Sequence, residues 1–419
     1  METKRIFDLI DERKEELFEL LSSFVKFPTE NFKTHGDEAE LAKHIHKLCQ
    51  DLGLESDLYS PMDIAGFDRH PDYIPGRSLE TRYNVTARWR GTEDTDDLML
   101  MGHTDTVEIG DRANWEKDPF SGEISDGKIW GRGSGDDKYA LAIPLFLIKL
   151  LKEQGFVPKK NVLFSAYVDE ECGGSHGALA SVLKYPCPRI VNMDCAEDQI
   201  WHCGSGGQGV YFRFHTQHTV DSAKLGASAL PVILEEIEKF GDRRRKELAE
   251  NPFYQGTIIP KTALRYMDIH VGKEGTDLGK GSVSFTFYTD KTKDEIAAEL
   301  QELAAILEKR IAPLGLVSDG MIPRTRFFHY VHCAPDTPDI QAMVAAATEA
   351  TGKAPIVCGS CLSDLSVISK YGSSEAFAFG MGRDFSLPGG AHQPNEYIEC
   401  DKLVEFTKTI AAYIINTMG

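Results

Sequence analysis

Leu98-Met-Leu-Met-Gly-His-Thr-Asp-Thr-Val107 and, after a polar connection, Gly131-Arg-Gly-Ser-Gly-Asp-Asp-Lys138 decide how this chain is read. The first stretch opens with an apolar run of the length and composition of a buried strand. It ends at Gly102 and delivers His103 and Asp105 at its carboxyl end. In an extended chain, residues two apart point to the same side, so imidazole and carboxylate share a face. The second stretch is a Gly-rich turn that presents Asp136 just before an apolar helix. Sites in open α/β sheets form outside the carboxyl ends of strands. A histidine gathered there with carboxylates suggests a divalent metal site.

Strand and helix alternate outward from this pair. Apolar residues from Ile6 to Val25 recur at helical spacing and predict one long helix that stops near Pro28. A second helix is predicted from Asp37 to Leu52, capped by Gly53. The Pro- and Gly-rich segment Ser60–Ser78 reads as loop. Strands are predicted at Tyr83–Arg90, Leu98–Met101, Asn161–Val168 and Arg189–Met193, with a buried helix at Tyr139–Glu153. This is an α/β domain with a largely parallel sheet. The rhythm breaks at Gly204–Gly209. Two strand–helix units follow: Val210–His215 with Gly226–Phe240, and Ser282–Tyr288 with Lys293–Ile311. They predict a small inserted α+β domain over residues 209–317, between 1–208 and 318–419. The last part returns to α/β character, with a helix at Pro338–Thr351, a strand at Glu375–Phe379 and a loop carrying His392.

Composition narrows the function class. The 419 residues carry a net charge of −19, which argues against nucleic acid or an anionic membrane as a partner. Nine scattered cysteines do not form a disulfide framework in a chain this long, so a reducing compartment is expected. Cys358-Gly-Ser-Cys361 has no second pair to make a zinc ribbon and reads as a small-residue turn. The N-terminus lacks a signal-peptide pattern, and the apolar stretch Tyr139–Leu151 is too short to span a bilayer. A cytoplasmic protein is the expectation.

Five residues stand at strand ends or in Gly-rich loops: His103, Asp136, Glu171, Asp194 and His392. Two imidazoles and three carboxylates suit zinc or a similar divalent ion. Five ligands exceed one simple site and suit two ions sharing a carboxylate. Glu170 is left over beside Glu171, where a general base would stand. His176, His202 and His215 have no motif around them and read as surface or structural residues. His44 and His46 are expected on the solvent side of their helix.

The sequence resembles the co-catalytic dizinc hydrolases of metallopeptidase family 20, which include aminoacylase, acetylornithine deacetylase, succinyl-diaminopimelate desuccinylase, carboxypeptidase G and carnosine-type dipeptidases. Gly102-His-Thr-Asp105 resembles the first metal motif of that family. Trp115, Asp118-Pro-Phe120, Asp126-Gly-Lys128 and Gly131–Lys138 resemble the second, Asp169-Glu-Glu171 the third, and His392-Gln-Pro-Asn-Glu-Tyr397 the last. The resemblance covers nearly the whole chain. It implies that His103 and Asp194 bind one ion, Glu171 and His392 the other, and that Asp136 bridges. Glu197 and Asp198 are the carboxylates nearest in sequence to Asp194. The ions implied are zinc, with manganese or cobalt as alternatives. Glu170 is implied as the base, Asp105 as the residue that orients His103, and the Asp136–Asp137 peptide as cis. The inserted domain is implied to be ferredoxin-like and to serve as lid and dimerisation domain of a homodimer. His218, with His215 as alternative, is implied to reach the partner subunit's active site and donate to the oxyanion.

Two departures stand out. Members that bind a substrate carboxylate often carry an Arg on the last strand of the small domain, but Ser284–Asp290 has none. Gln208 also stands where a charged residue is common. Arg383 is the candidate replacement. The function expected is hydrolysis of an amide or peptide C–N bond in a small N-acyl amino acid or dipeptide. Removal of an amino group from an anthranilate-like aromatic acid is the alternative, and a non-catalytic metal-binding protein the rival from another class.

Overall fold

A computed structural model describes residues 2–216, 221–254, 257, 259–272, 279–359 and 361–419. Leu98–Met101 is the fully buried centre of a longer strand, Glu93–His103. It pairs in parallel with Lys160–Tyr167 on one side and Arg189–Glu197 on the other. Near-continuous apolar runs are what strands buried on both faces require. Phe377–Gly380 continues the parallel set beside Arg189–Glu197. Antiparallel strands flank this centre: Asn84–Trp89 and then Glu55–Tyr59 on one side, Gln199–Gly204 on the other. The polar halves Glu93–Asp97 and Glu55–Asp57 carry no apolar period, which is why their strand character escapes the sequence.

The chain divides into two compact units. The first comprises Met1–Cys203, His332–Cys358 and Val367–Gly419 and holds this sheet with its covering helices. Helix Tyr139–Glu153 is buried on nearly every side, and Cys400–Met418 packs in the same core. The expected single N-terminal helix is instead two, Thr3–Glu12 and Lys14–Val25. They break at Arg13, whose guanidinium pairs with Glu16 and with Glu153. His44 is not simply solvent-side: its ring packs against Phe24 and Phe27.

The second unit comprises Gly204–Val331 and Gly359–Ser366. Its four antiparallel strands lie in the order Leu264–Val271, Lys280–Thr289, Gly206–His215, Val317–Pro323. With helices Ser222–Glu250 and Lys293–Ile311, this is the split βαβ arrangement of a ferredoxin-like domain. Phe212, Phe214, Ile237, Phe240, Phe285 and Phe287 fill its core. The expected boundary at 317 falls short because Val317–Pro323 is an edge strand of this sheet. Edge strands such as Val317–Pro323 and Leu264–Val271 are half-exposed and lose the alternation that marks a strand. Among the described residues, no helix is long and apolar enough to cross a membrane. The nine cysteines are free, Cys358 and Cys361 included.

Candidate metal centre

Strand Glu93–His103 and helix Tyr139–Glu153 touch at Gly102. A Cβ built there would lie 2.5 Å from that of Ala140, so only glycine allows the approach. The contact brings the turn before the helix against the strand end. The Asp136–Asp137 peptide is cis. The Asp137 carboxylate accepts a hydrogen bond from the His103 backbone N–H at 3.3 Å. Asp136 reaches the imidazole of the same histidine.

Four of the expected ligands converge. His103 Nε2 lies 3.0 Å from Asp136 Oδ1. His392 Nε2 lies 3.2 Å from Asp136 Oδ2 and 3.1 Å from Glu171 Oε1. The two oxygens of Asp136 thus face different imidazoles. Donor atoms of His103, Asp136 and Glu171 all lie within 4.8 Å of one another. This mixed imidazole–carboxylate set matches the chemistry of zinc and similar divalent ions.

The final motif holds the Gly-rich turn in place. Buried Glu396 accepts from the backbone N–H groups of Gly133 and Gly135 at 3.1 and 2.9 Å. Its other oxygen takes the Arg132 guanidinium at 2.6 Å. Arg132 also donates to the carbonyl of His392 and stacks over Trp115. Strand Tyr397–Glu399 pairs with Lys128–Trp130, tying the His392 loop to the hairpin before the Gly-rich turn. Breaking a buried ion pair such as Arg132–Glu396 strands a charge, at a cost of about 3–5 kcal/mol.

A second set of buried groups holds the Asp169–Cys172 turn. Asp105 accepts from the backbone N–H of Glu170 at 3.1 Å and of Glu171 at 2.9 Å, and from Asn31 Nδ2 at 2.7 Å. Asp105 also orients His103, but through its backbone carbonyl, 2.9 Å from Nδ1; its carboxylate stands 3.8 Å away. A ligating imidazole is commonly fixed this way at its other nitrogen. Asp169 takes Arg77 at 2.7 Å, Arg82 at 2.8 Å and His176 at 2.6 Å. Arg82 pairs in addition with Glu38.

The electrostatics are those of a site made to hold positive charge. Burial disfavours a charged His103, but the Asp136 hydrogen bond and the Asp137, Asp136 and Glu170 charges outweigh it and raise its pKa well above the ordinary value. Burial opposes a charged His392 as well, yet Glu171 and Asp136 raise it to about 11. Burial would raise Asp136, but hydrogen bonds from His103 and His392 hold it below the usual carboxylate range. Asp137 is pushed well up, chiefly by burial. Burial brings Lys138 down to about 7.

The remaining expected residues lie in their own surroundings. Asp194 is half-buried in strand Arg189–Glu197. Its charge reaches Asp137 and Tyr139 and raises both. Arg383 is engaged within its own region: it stacks 4.3 Å from the Tyr397 ring centroid and pairs with Glu399 at 3.4 Å. His215 faces Asp319 at 2.9 Å. His218 lies outside the described residues. His176 is structural: one nitrogen meets Asp169 and the other accepts from the Ile74 N–H. The sequence reading did not assign Arg77, Arg82, Asn31, Arg132 or Glu396. The last two lie inside quoted motifs; the first three have no local signal.

Comparison with known proteins follows the same lines. Residues 99–416 match the family described as Peptidase family M20/M25/M40. The chain belongs to that family. It is accordingly a metal-dependent amidohydrolase. A Bacillus subtilis N-formyl-4-amino-5-aminomethyl-2-methylpyrimidine deformylase is 23% identical, with 97% of this chain and 96% of the relative covered. A succinyl-diaminopimelate desuccinylase from Wigglesworthia glossinidia brevipalpis is 34% identical, over 37% of this chain and 40% of its own length. Among solved structures, the Saccharomyces cerevisiae dipeptidase Dug1p superposes with a TM-score of 0.74 at 16% identity, covering 99% of this chain and 98% of that one. Human carnosine dipeptidase 1 does so with 0.72 at 16% identity, covering 99% of each chain. These structural likenesses establish the fold.

Proposed function

We propose that this enzyme hydrolyses the amide bond of a small N-acyl amino acid or dipeptide, using two divalent cations, zinc first among them. The observation that carries this reading is Asp136, whose two oxygens face His103 and His392 separately. His103 and Asp194 would hold one cation, Glu171 and His392 the other, with Asp136 between them. Bound there, the cations would polarise the substrate carbonyl and acidify the attacking water. Glu170 takes the proton from that water at its carboxylate and hands it to the leaving nitrogen. Asp105, through the backbone of Glu170 and Glu171, holds base and ligand in register. The formyl, succinyl and dipeptide substrates in the relatives' names all present one small acyl C–N bond, which supports this class.

The aromatic-amine alternative rests on two features, the missing Arg on Ser284–Asp290 and the aromatic residues of that strand, and it loses the second. Phe285 and Phe287, on the strand that suggested it, are fully buried in the core of the second unit. A screen of the zinc-, manganese- or cobalt-loaded protein tests the proposal. Acyl-amino acids, dipeptides and anthranilate-type amines would be assayed for release of the amine product. Turnover of a member of the first two groups, lost on chelation and restored by metal, is the expected result. Turnover of the third group alone would favour the alternative.

Specificity is expected to involve Phe385. Its ring meets His392 edge-on at 4.8 Å yet stays 52% exposed. The loop presenting it is tightly tied: Ser386 donates twice to Asp384, and Gln393 donates to the Phe385 carbonyl at 2.7 Å. Phe385→Ala should lower kcat/KM about 10-fold for substrates with a large apolar group beside the scissile carbonyl. Acetylated or formylated substrates should be nearly unaffected. An equal loss across the series would remove Phe385 from the pocket.

The protein acts as a homodimer through the inserted unit, with His218 donating to the oxyanion in the partner subunit's site. Loss of one such donor costs about 100- to 1,000-fold. Mixing inactive Glu170→Gln and His218→Ala proteins under subunit exchange should restore activity. Mixed dimers without activity would reject donation across the interface.

A further inference from the structure

We infer that Arg77 is a positioning residue for the hydrolysis, setting Glu170 and Glu171 by gripping both ends of the turn that carries them. The inference rests on the proposed roles of those two carboxylates. Arg77 lies in the Pro-rich loop before strand Asn84–Trp89 and is 6% exposed. Its Nη1 donates to Asp169 Oδ1 at 2.7 Å, and its Nη2 to the Cys172 carbonyl at 2.7 Å. These two residues bracket Glu170 and Glu171. A rigid, planar guanidinium fork can span two acceptors in this way, whereas an ammonium is a point charge.

The turn needs external support. Asp169 and Cys172 both sit in the left-handed region, at φ 63° and 59°. For residues other than glycine, that conformation is costly and persists where the surroundings enforce it. The two strained residues are the two that Arg77 holds. Asp105 fixes the N–H groups between them, so the backbone of the turn is tied from inside and outside. Arg82 differs in kind. It also pairs with buried Glu38, so its loss would disturb the fold well beyond the turn.

The bland account of Arg77 is charge compensation for buried Asp169. Lysine discriminates the two, because it keeps the charge and cannot bridge both ends. Four proteins suffice: the parent, Arg77→Lys, Arg77→Ala and, as a surface control, Arg90→Ala. Each would be titrated with zinc against a chromogenic chelator, and assayed on the substrate found for the parent. Partners that orient ligands typically change metal affinity or activity 10- to 100-fold. Arg77→Lys should weaken one of the two cations by at least about 10-fold and leave the other unchanged. Its kcat should fall by a similar factor, with KM within about threefold of the parent. Millimolar methylguanidinium should restore part of the loss in Arg77→Ala and do nothing for Arg90→Ala. Parent-like cation affinities and kcat in Arg77→Lys would overturn the inference in favour of charge compensation. Equal weakening of both cations would overturn it too, as a general structural role. If Arg77→Ala does not fold, Arg77→Lys alone decides. If the parent hydrolyses nothing, the functional reading fails, and the zinc titration still tests the clamp.

Discussion

Glu170→Gln is expected to bind both cations and to lose turnover by about 100- to 10,000-fold, the usual range for removing a general base. The substitution is nearly isosteric and removes the acceptor for the proton of the attacking water. It leaves the backbone N–H that donates to Asp105, so the turn should keep its shape. Glu171, the neighbouring ligand candidate, keeps its own N–H bond to Asp105 and its contact with His392. Metal analysis and steady-state kinetics on the same preparation check the prediction. Two bound ions with collapsed kcat is the expected pattern. Near-parental kcat would assign the base elsewhere, and loss of an ion would make Glu170 a ligand.

Asp136→Ala is expected to do the reverse, removing metal and activity together. Its two oxygens serve two imidazoles, so the single substitution weakens both cation positions at once. The expected loss of turnover is at least about 100- to 1,000-fold, the scale of removing one electrostatic stabiliser. A second readout needs no substrate. In the metal-free parent, Asp136 contributes to the raised pKa of both His103 and His392. Without that carboxylate, both imidazoles should titrate at lower pH, which proton NMR of the metal-free variant would follow. One tightly held ion remaining in Asp136→Ala would show that the carboxylate serves a single position.

The sequence alone carried the central strand, the Gly-rich turn and the helix behind it. An apolar run buried on both faces and a turn that needs glycine are local requirements, written in consecutive residues. His103, Asp136, Glu171 and His392 were legible for the same reason: each sits in a short motif at the end of an element, and the structure brings all four together. The edge strands Leu264–Val271 and Val317–Pro323 were not legible, since half-exposed strands lack a period of two. Arg383 stacks on Tyr397, a contact that no local sequence pattern announces. Only the tertiary structure placed Asn31, Arg77 and Arg82 on the Asp169–Cys172 turn, from 138, 92 and 87 residues away along the chain. A buried charge is paired by whatever folds against it, and that choice is made in three dimensions.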